Sequence, residues 1–334
     1  MLEDRIIMAH GSGGRLSHQL IRDVFQQAFA NEWLGQMNDA TVLPKEPGQL
    51  AVTTDSFVIS PIFFAGGDIG KLAVCGTVND LAVSGAIPKY LTTGFIIEEG
   101  FPVAELLQIA NSMAAAASAA GVCLVAGDTK VVERGGADKV FINTTGIGFI
   151  PTKRKLSPER IKPGDKIIIS GTMGDHGIAI VSQREGLEFS SPVVSDCATL
   201  NQFIDSFILP GVKCMRDPTR GGLATTLNEL AGQAGVAMVI EEELVPVSPA
   251  VKGACDMLGL DPLYLANEGK VIVIVNPRDE AAVLDRMHGH PLGKDARTIG
   301  EVLSDESGLV LTETVLGVRR ILGMLEGEHL PRIC

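Results

Sequence analysis

The feature that most restricts the fold of this chain is a polar, proline-containing stretch at residues 151–165, which separates two series of strand-like and helix-like segments. With 334 residues, the chain exceeds the usual size of one hydrophobic core. The stretch therefore predicts a linker between two domains, at 1–150 and 166–316, each with an α/β or α+β arrangement. From residue 317 the sequence has three glycines and no strong period, which predicts a mobile tail at 317–334.

The spacing of apolar residues predicts the elements of each domain. In the first domain, strands are expected at 50–59, 89–97, 122–132 and 140–150, and helices at 70–84 and 103–120. In the second domain, strands are expected at 166–170, 236–241, 270–275, 296–302 and 309–313, and helices at 176–185, 223–234 and 279–287.

Composition and charge argue against several classes of function. The net charge is −12 and no block rich in lysine or arginine occurs, so nucleic acid is not an expected partner, because binding its phosphates requires clustered positive charge. Residues 1–8 carry charges where a signal peptide needs an apolar run, and no apolar stretch is long enough to span a bilayer. A cytoplasmic protein without a membrane partner is expected. None of the six cysteines forms a C-x-x-C pair, so a structural zinc site is not expected.

Three aspartates at the ends of apolar runs in the first domain could bind a metal ion. Asp55 lies in TTDSF, Asp80 lies in VNDLAVSGAIP beside Asn79, and Asp128 lies in AGDTK. Each of them alone is compatible with an ordinary turn or helix cap. Together, their oxygens could hold one or more Mg²⁺ ions and the phosphates of ATP.

Two glycine-rich segments could bind an anion through their backbone N–H groups. The chain has no G-x-x-x-x-G-K-[ST] phosphate loop and no strand followed by G-x-G-x-x-G, so a nucleotide must be held in another way. The segment AHGSGGRLS precedes a helical pattern and contributes Gly11, Ser12, Gly13 and Gly14. The segment RDPTRGG places Asp217 and Arg220 before a predicted helix, where an anion is favoured, although Asp217 could simply cap that helix.

The order of the motifs resembles that of a known superfamily. TTDSF, VNDLAVSGAIP, AGDTK, DPTRGG and NEGK occur in this order over nearly the whole chain, and they look like the ATP-binding superfamily of aminoimidazole ribonucleotide synthetase and selenophosphate synthetase. The terminal PRIC is similar to that of one member, the HypE family of hydrogenase maturation proteins. Selenophosphate synthetase would need a reactive cysteine or selenocysteine in the N-terminal glycine-rich loop, which here has His10 and Ser12.

The resemblance implies a two-domain aminoimidazole ribonucleotide synthetase-like fold and a homodimer whose N-terminal sheets form a shared β-barrel, with ATP beside it. It implies that the three aspartates bind metal and phosphate and that the N-terminal glycine-rich segment covers ATP. Lys130 and Glu268 match positions that handle an adduct on a cysteine, and Cys334 matches the modified C-terminal cysteine.

The activity implied by the resemblance is ATP-dependent dehydration of a carbamoyl group on Cys334 to a thiocyanate. The carbamoyl oxygen would be phosphorylated and would then leave as phosphate, with Glu268 as the first candidate for the base and Lys130 as a group that orients the substrate or relays a proton. The implied partners are the carbamoyltransferase HypF, which loads Cys334, and the HypC–HypD complex, which receives cyanide for the iron centre of a nickel–iron hydrogenase.

Two other functions remain open from the residues alone. Cys334 could be a non-enzymatic carrier between maturation partners, which would not need the aspartates. The chain could also be a small-molecule kinase of the same superfamily, in which the tail has no role. Lys130 and Glu268 could likewise form a structural ion pair.

Overall fold

The computed structural model describes residues 4–36, 40–187, 193–305, 307–327 and 332–333. Cys334, the predicted carrier of the substrate, lies outside these residues. The described chain forms two α/β domains, each built on its own sheet. No helix within these ranges is long and apolar enough to cross a membrane.

The first domain is a mixed sheet with helices packed on one face. Its described elements are α1 (Arg15–Leu20), β1 (Gln49–Phe57), β2 (Phe63–Phe64), β3 (Gly67–Asp68), α2 (Ile69–Val83), β4 (Ile87–Glu98), α3 (Val103–Ala120), β5 (Cys123–Val132) and β6 (Val140–Ile150). Within the described residues, the main sheet has the order β1-β6-β4-β5, and β2 pairs with β3 as a short hairpin. β4 and β5 are parallel, whereas β6 is antiparallel to both of its neighbours.

The second domain is a larger, mostly antiparallel sheet. Its described elements are β7 (Lys166–Ile169), α4 (Asp175–Arg184), α5 (Asn201–Phe207), β8 (Val212–Arg216), α6 (Gly222–Ala234), β9 (Met238–Glu241), α7 (Pro249–Leu258), β10 (Ile272–Val275), α8 (Glu280–His288), β11 (Arg297–Val302), β12 (Val310–Glu313) and β13 (Arg319–Ile321). The strand order in the described chain is β13-β12-β9-β11-β7-β10-β8. All four residues of β10 are buried, as expected for an apolar strand inside a sheet covered on both faces.

The structure confirms the predicted long elements and adds shorter ones. Every strand and helix predicted from periodicity is present, with its ends shifted by at most two residues. The short elements α5, α7, β2, β3, β8 and β13 were not predicted, whereas α1 lies where the sequence showed a helical pattern after its N-terminal glycines. The predicted start of the tail at residue 317 is too early, because a turn with Gly317 at φ 74° leads into β13, which pairs with β12.

Helix α2 is buried on almost every side, between the sheet, α3 and the second domain. The carboxylate of Asp68 caps its first turn by accepting hydrogen bonds from the N–H groups of Gly70 and Lys71. Polar residues on such a helix must find partners, because an unpaired buried polar group is costly. Thr77 and Asn79 are both buried on α2, and their partners define the site described below.

Gly70 allows α2 to pack closely against α3, and we expect Gly70→Ala to destabilise the protein. A Cβ at this position would lie 2.5 Å from the Ile109 carbonyl oxygen and 2.8 Å from Met113 Cγ. The free energy of unfolding, measured by chemical denaturation, should fall by roughly 1 to 3 kcal/mol. The matched control is Gly232→Ala on α6, where no described atom lies within 4 Å of the new Cβ. This control should leave stability unchanged or raise it by up to about 1 kcal/mol. Equal effects of the two substitutions would contradict the close packing.

Candidate active site between the two domains

Acidic residues from both domains lie where the domains meet. Asp55 lies on the edge strand β1, Asp80 in the last turn of α2, and Asp217 in the loop after β8. The hydroxyl of Thr77 donates a hydrogen bond to Asp55 Oδ2 at 2.8 Å, and the hydroxyl of Thr53 donates to Asp80 Oδ2 at 2.9 Å. Asp55, Asp80 and Asp217 are called the acid cluster below.

Burial and mutual repulsion raise the pKa values of the acid cluster. Burial, and then the charge of Asp55, raise the pKa of Asp80 to about 6. Burial, and then the charge of Asp80, raise the pKa of Asp217 to about 7. Burial also raises the pKa of Asp55, and the charge of Arg216 only partly offsets these effects at Asp80 and Asp217. A cation would therefore be stabilised at the acid cluster.

Within one chain, Asp128 lies apart from Asp55 and Asp80, although the sequence suggested that the three residues act together. Asp55 faces Thr144 of β6 and Asp128 faces Gly94 of β4, because β1 and β5 are opposite edges of the sheet. Asp128 is exposed and pairs with Lys130, with a carboxylate oxygen 3.3 Å from Lys130 Nζ. Asp217, for which the sequence suggested an anion site, is the third carboxylate instead.

The chemistry of the acid cluster fits a magnesium ion that arrives with a nucleotide. In the part of the chain that the structure describes, no three His, Cys, Asp or Glu side chains form a ready-made metal site. Mg²⁺ usually binds through one or two carboxylates together with the phosphate oxygens of a substrate. Burial and mutual repulsion raise the pKa values of Asp80 and Asp217, and a bound cation would counter both effects.

Glu268 lies beside the acid cluster, in the turn before β10. Its side chain is 3% exposed, and its Oε1 makes no hydrogen bond to any described residue. Burial, followed by the charges of Asp196 and Asp217, raises the pKa of Glu268 well above its ordinary value. A raised pKa makes this carboxyl group a candidate for proton transfer to or from a bound substrate.

The turn that carries Glu268 is fixed by residues that were not predicted as functional. Asp196 accepts a hydrogen bond from the Glu268 N–H at 3.0 Å and lies 3.1 Å from Lys270 Nζ. The side-chain amide of Asn267 donates to the Pro218 carbonyl at 3.1 Å. These contacts connect NEGK to DPTRGG in the fold. The two motifs are far apart in the sequence, so the sequence alone does not show that they meet. Asn267 and Lys270 belong to the NEGK motif, so the motif itself was the sequence signal that could have identified them.

Asn79, which the sequence suggested as a cofactor-binding residue, bridges the two domains. Its Nδ2 donates to the carbonyls of Ala198 at 3.0 Å and Glu268 at 3.3 Å. Its Oδ1 accepts from the Leu200 N–H at 2.7 Å. Because both protons of the amide and its oxygen are engaged in the protein, Asn79 acts on the site by holding the Glu268 turn against α2.

The glycine-rich N-terminal segment lies against β5. A Cβ at Gly11 would come within 2.5 Å of the backbone nitrogen of Val131, so this approach requires glycine. The Ser12 hydroxyl donates to the Ala9 carbonyl at 3.0 Å, and Gly14 directly precedes α1. A cavity of about 300 Å³ lies beneath the segment; its lining includes Gly11, Gly13, Phe25, Phe29, Asp128 and Lys130. Lys130 thus lies under this segment, and no contact among the described residues joins it to Glu268.

The last described residues of the chain lie between the domains. Ser60 of the first domain and Arg184 of the second both donate hydrogen bonds to the Arg332 carbonyl, at 3.2 and 2.8 Å. Ile333 is buried. A second cavity, of about 410 Å³, is lined by Ser56, Arg220, Gly221, Tyr264, Arg332 and Ile333 among others. Arg220, a predicted anion-binding residue, therefore shares a cavity with the end of the chain.

Comparisons with known proteins show the family to which this chain belongs. Residues 37–150 match the family model for AIR synthase related protein, N-terminal domain, and residues 162–311 match the C-terminal domain of the same family. Carbamoyl dehydratase HypE of Cupriavidus necator is 53% identical over 333 residues, which cover 99% of this chain and 95% of the relative.

Two solved structures are similar over most of their length. A crystal structure of hydrogenase maturation protein HypE in complex with ATP has a TM-score of 0.94 and 51% identity, covering 98% of this chain and 99% of that one. A HypE–HypF complex has a TM-score of 0.81 and 51% identity, covering 92% of this chain and 99% of that one. By its sequence and its two-domain fold, the chain belongs to the HypE family of carbamoyl dehydratases, within the AIR synthase related proteins.

Proposed function

We propose that this protein uses ATP to dehydrate a carbamoyl group on its own Cys334 and so forms a thiocyanate for hydrogenase maturation. The observation that carries the proposal is the position of Arg332 and Ile333. These residues lie between the domains and share a cavity with Arg220 of the DPTRGG loop. The end of the chain is thus held at a site whose neighbours can bind phosphate and move protons. The names of the similar proteins support the same activity.

In the proposed reaction, the carbamoyl oxygen attacks the γ-phosphorus of ATP, ADP leaves, and the nitrogen loses its first proton. The product is an S-linked imidate that carries the phosphate on oxygen. Loss of that phosphate together with the remaining N–H proton gives the S–C≡N group. Overall, one carbamoyl group loses one water, whose atoms end in phosphate and protons. The protein contributes mainly positioning and charge stabilisation, as is usual for phosphoryl transfer.

Glu268 is our proposed base for removing the nitrogen protons. A carboxylate whose pKa is raised by burial is a stronger base than an exposed glutamate. Its Oε1 has no hydrogen-bond partner among the described residues, so it can accept a proton from a ligand. Lys130 is proposed to orient the carbamoyl group or to relay the proton.

Asp55, Asp80 and Asp217 are proposed to hold Mg²⁺ together with the phosphates of ATP. The ion, when bound, would neutralise charge on the transferred phosphoryl group. The N–H groups of Gly11, Ser12, Gly13 and Gly14, together with Arg220, are proposed to contact the nucleotide.

The separation of Lys130 and Asp128 from the acid cluster supports a homodimer. β1 and β5 each have one strand partner among the described residues, so a second copy can pair with either edge. The sheet face opposite α2 exposes Val52 and Ile96, which such a copy would cover. If β1 of one protomer pairs with β5 of its partner, the two sheets form one barrel. Each active site then combines the acid cluster of one chain with Lys130 and Asp128 of the other.

Two maturation partners follow from the proposed chemistry. A carbamoyltransferase of the HypF type would load Cys334, and the structure of a HypE–HypF complex supports that pairing. A HypC–HypD complex is proposed to receive the cyanide, from the resemblance of the sequence.

The first test follows the mass of the intact chain during incubation with HypF, carbamoyl phosphate and ATP. We expect Cys334 to gain one carbamoyl group and then lose one water. Cys334→Ala should bind ATP but carry no adduct, whereas the matched Cys123→Ala should behave as wild type. A normal cyano adduct on Cys334→Ala would refute the assignment. Carbamoylation without an ATP-dependent loss of water would favour the carrier function, and full activity without residues 330–334 would favour a small-molecule kinase.

The second test uses the repulsion within the acid cluster. The pKa of Asp80 is higher in the folded protein, at about 6, than its ordinary value of 3.8. Ionisation of Asp80 therefore lowers the free energy of unfolding as the pH rises from about 4 to above 6. At pH 8 without Mg²⁺, Asp80→Asn should raise the free energy of unfolding by roughly 1 to 3 kcal/mol, and the gain should vanish near pH 4.

Asp256→Asn is the matched control, because Asp256 is exposed on α7 and belongs neither to the acid cluster nor to the proposed shared site; the stability of this variant should be unchanged. Calorimetry should show that Asp80→Asn weakens Mg²⁺-dependent ATP binding. A variant that is less stable than wild type at pH 8 would show that Asp80 is held by favourable contacts instead.

The third test asks whether the active site is shared between protomers. Asp80→Asn and Lys130→Met should each abolish dehydration. Co-expressed and allowed to form mixed dimers, they should regain about a quarter of wild-type activity, because half of the dimers are mixed and each has one intact site. Val52→Glu should shift the protein towards the monomer in sedimentation experiments. An inactive mixture of folded dimers would place both residues in the same site of one chain.

A further inference from the structure

A buried histidine contacts the end of the chain. His176, in the first turn of α4, is fully buried, and its Nε2 lies 2.7 Å from the Ile333 carbonyl oxygen. Its Nδ1 lies 2.8 Å from Ser195 Oγ, and its ring packs edge-on against Phe64 at 5.6 Å between ring centres. Neither the motifs nor the resemblance identified His176 as functional.

The neighbours of the ring determine where its proton lies. The Cys197 N–H donates to Ser195 Oγ at 3.1 Å, so the hydroxyl proton of Ser195 is available for His176 Nδ1. The Ile333 carbonyl can only accept, so Nε2 must carry the ring proton. Burial lowers the pKa of His176, which favours the neutral ring that this hydrogen-bond pattern requires.

The contact belongs to a site that grips two consecutive residues. The guanidinium of Arg184 and the N–H of Ser60 both donate to the Arg332 carbonyl. The side chain of Ile333 is 6% exposed and packs with the core residues of the first domain. The site thus contacts the backbone of Arg332 and Ile333 and the side chain of Ile333.

We propose that His176 is a positioning residue for the reaction on Cys334: by donating to the Ile333 carbonyl, it fixes the peptide group from which the terminal residue extends. This inference rests on the proposed function, in which Cys334 must be inside for chemistry and outside for loading and delivery. When the tail leaves, His176 Nε2 loses its one partner among the described residues. Because a buried donor without a partner is costly, His176 favours the docked tail.

The test measures how fast iodoacetamide alkylates Cys334 in the full-length homodimer, with peptide mass spectrometry to assign the site. If reaction occurs only from the undocked tail, its rate reports the undocked fraction. His176→Leu keeps a similar volume but removes the donor, and it should speed alkylation about three- to tenfold, the range that one hydrogen bond supports. His176→Gln retains an N–H donor and should remain close to wild type.

A change in the tail itself tests the same site without touching the core. Ile333→Asp would place a charge in the apolar part of the site and should speed alkylation at least as much as His176→Leu. The matched control is Leu316→Asp, because Leu316 is 89% exposed, and it should have no effect. The buried Cys214 and Cys255 report general loosening and should react at unchanged rates.

Wild-type alkylation rates in both His176→Leu and Ile333→Asp would overturn the proposal, as would a parallel increase at Cys214. The rate of Cys334 alkylation can be measured whether or not the protein dehydrates a carbamoyl group. Faster alkylation in a protein that never loses water from a carbamoyl adduct would preserve the docking role and refute the proposed activity. Normal dehydration with unchanged alkylation rates would refute the docking role and preserve the proposed activity.

Discussion

The burial of helix α2 between the two domains is the constraint on which the rest of the structure depends. The helix packs on its own sheet through apolar residues and through Thr77, which also holds Asp55. Its other side carries Asn79, whose amide is bonded to the second domain. As a consequence, Asp80 in the last turn is fixed between β1 and the DPTRGG loop. A change in the packing of α2 would therefore move residues of both domains at once.

The same burial makes the acid cluster unfavourable when it is alone. Desolvation and repulsion together raise the pKa values of Asp80 and Asp217, and the charge of Arg216 does not cancel them. Burial also raises the pKa of Glu268, and the charges of Asp196 and Asp217 add to this effect. Positively charged ligands therefore relieve a strain that the fold imposes, which is a common property of binding sites that are assembled before the ligand arrives.

Much of the fold could be predicted from the sequence, because long apolar periods reflect local burial. The short strands and helices could not, since β8 and α5 owe their structure to tertiary packing rather than to their own pattern. The motifs suggested roles for Asp55, Asp80 and Asp217, and the resemblance suggested one for Glu268, but which of these residues meet depends on the fold. Asp128 looks equivalent to Asp55 along the sequence, yet two strands lie between them. His176 carried no signal at all, because its partner is a backbone carbonyl distant in the sequence.

If Cys334 carries the substrate, as proposed, the docked position of Ile333 has a kinetic consequence. A substrate joined to its own enzyme is present at a high local concentration that dilution does not change, so its capture needs no bimolecular encounter. Tighter binding of the terminus would then not improve the occupancy of the site, and it would slow the exchange with partners on every cycle. Three hydrogen bonds to two carbonyls, one ion pair between Arg332 and Asp138 and one buried isoleucine hold the terminus. Such a limited set of contacts suits the proposed function, in which the terminus has to leave as often as it arrives.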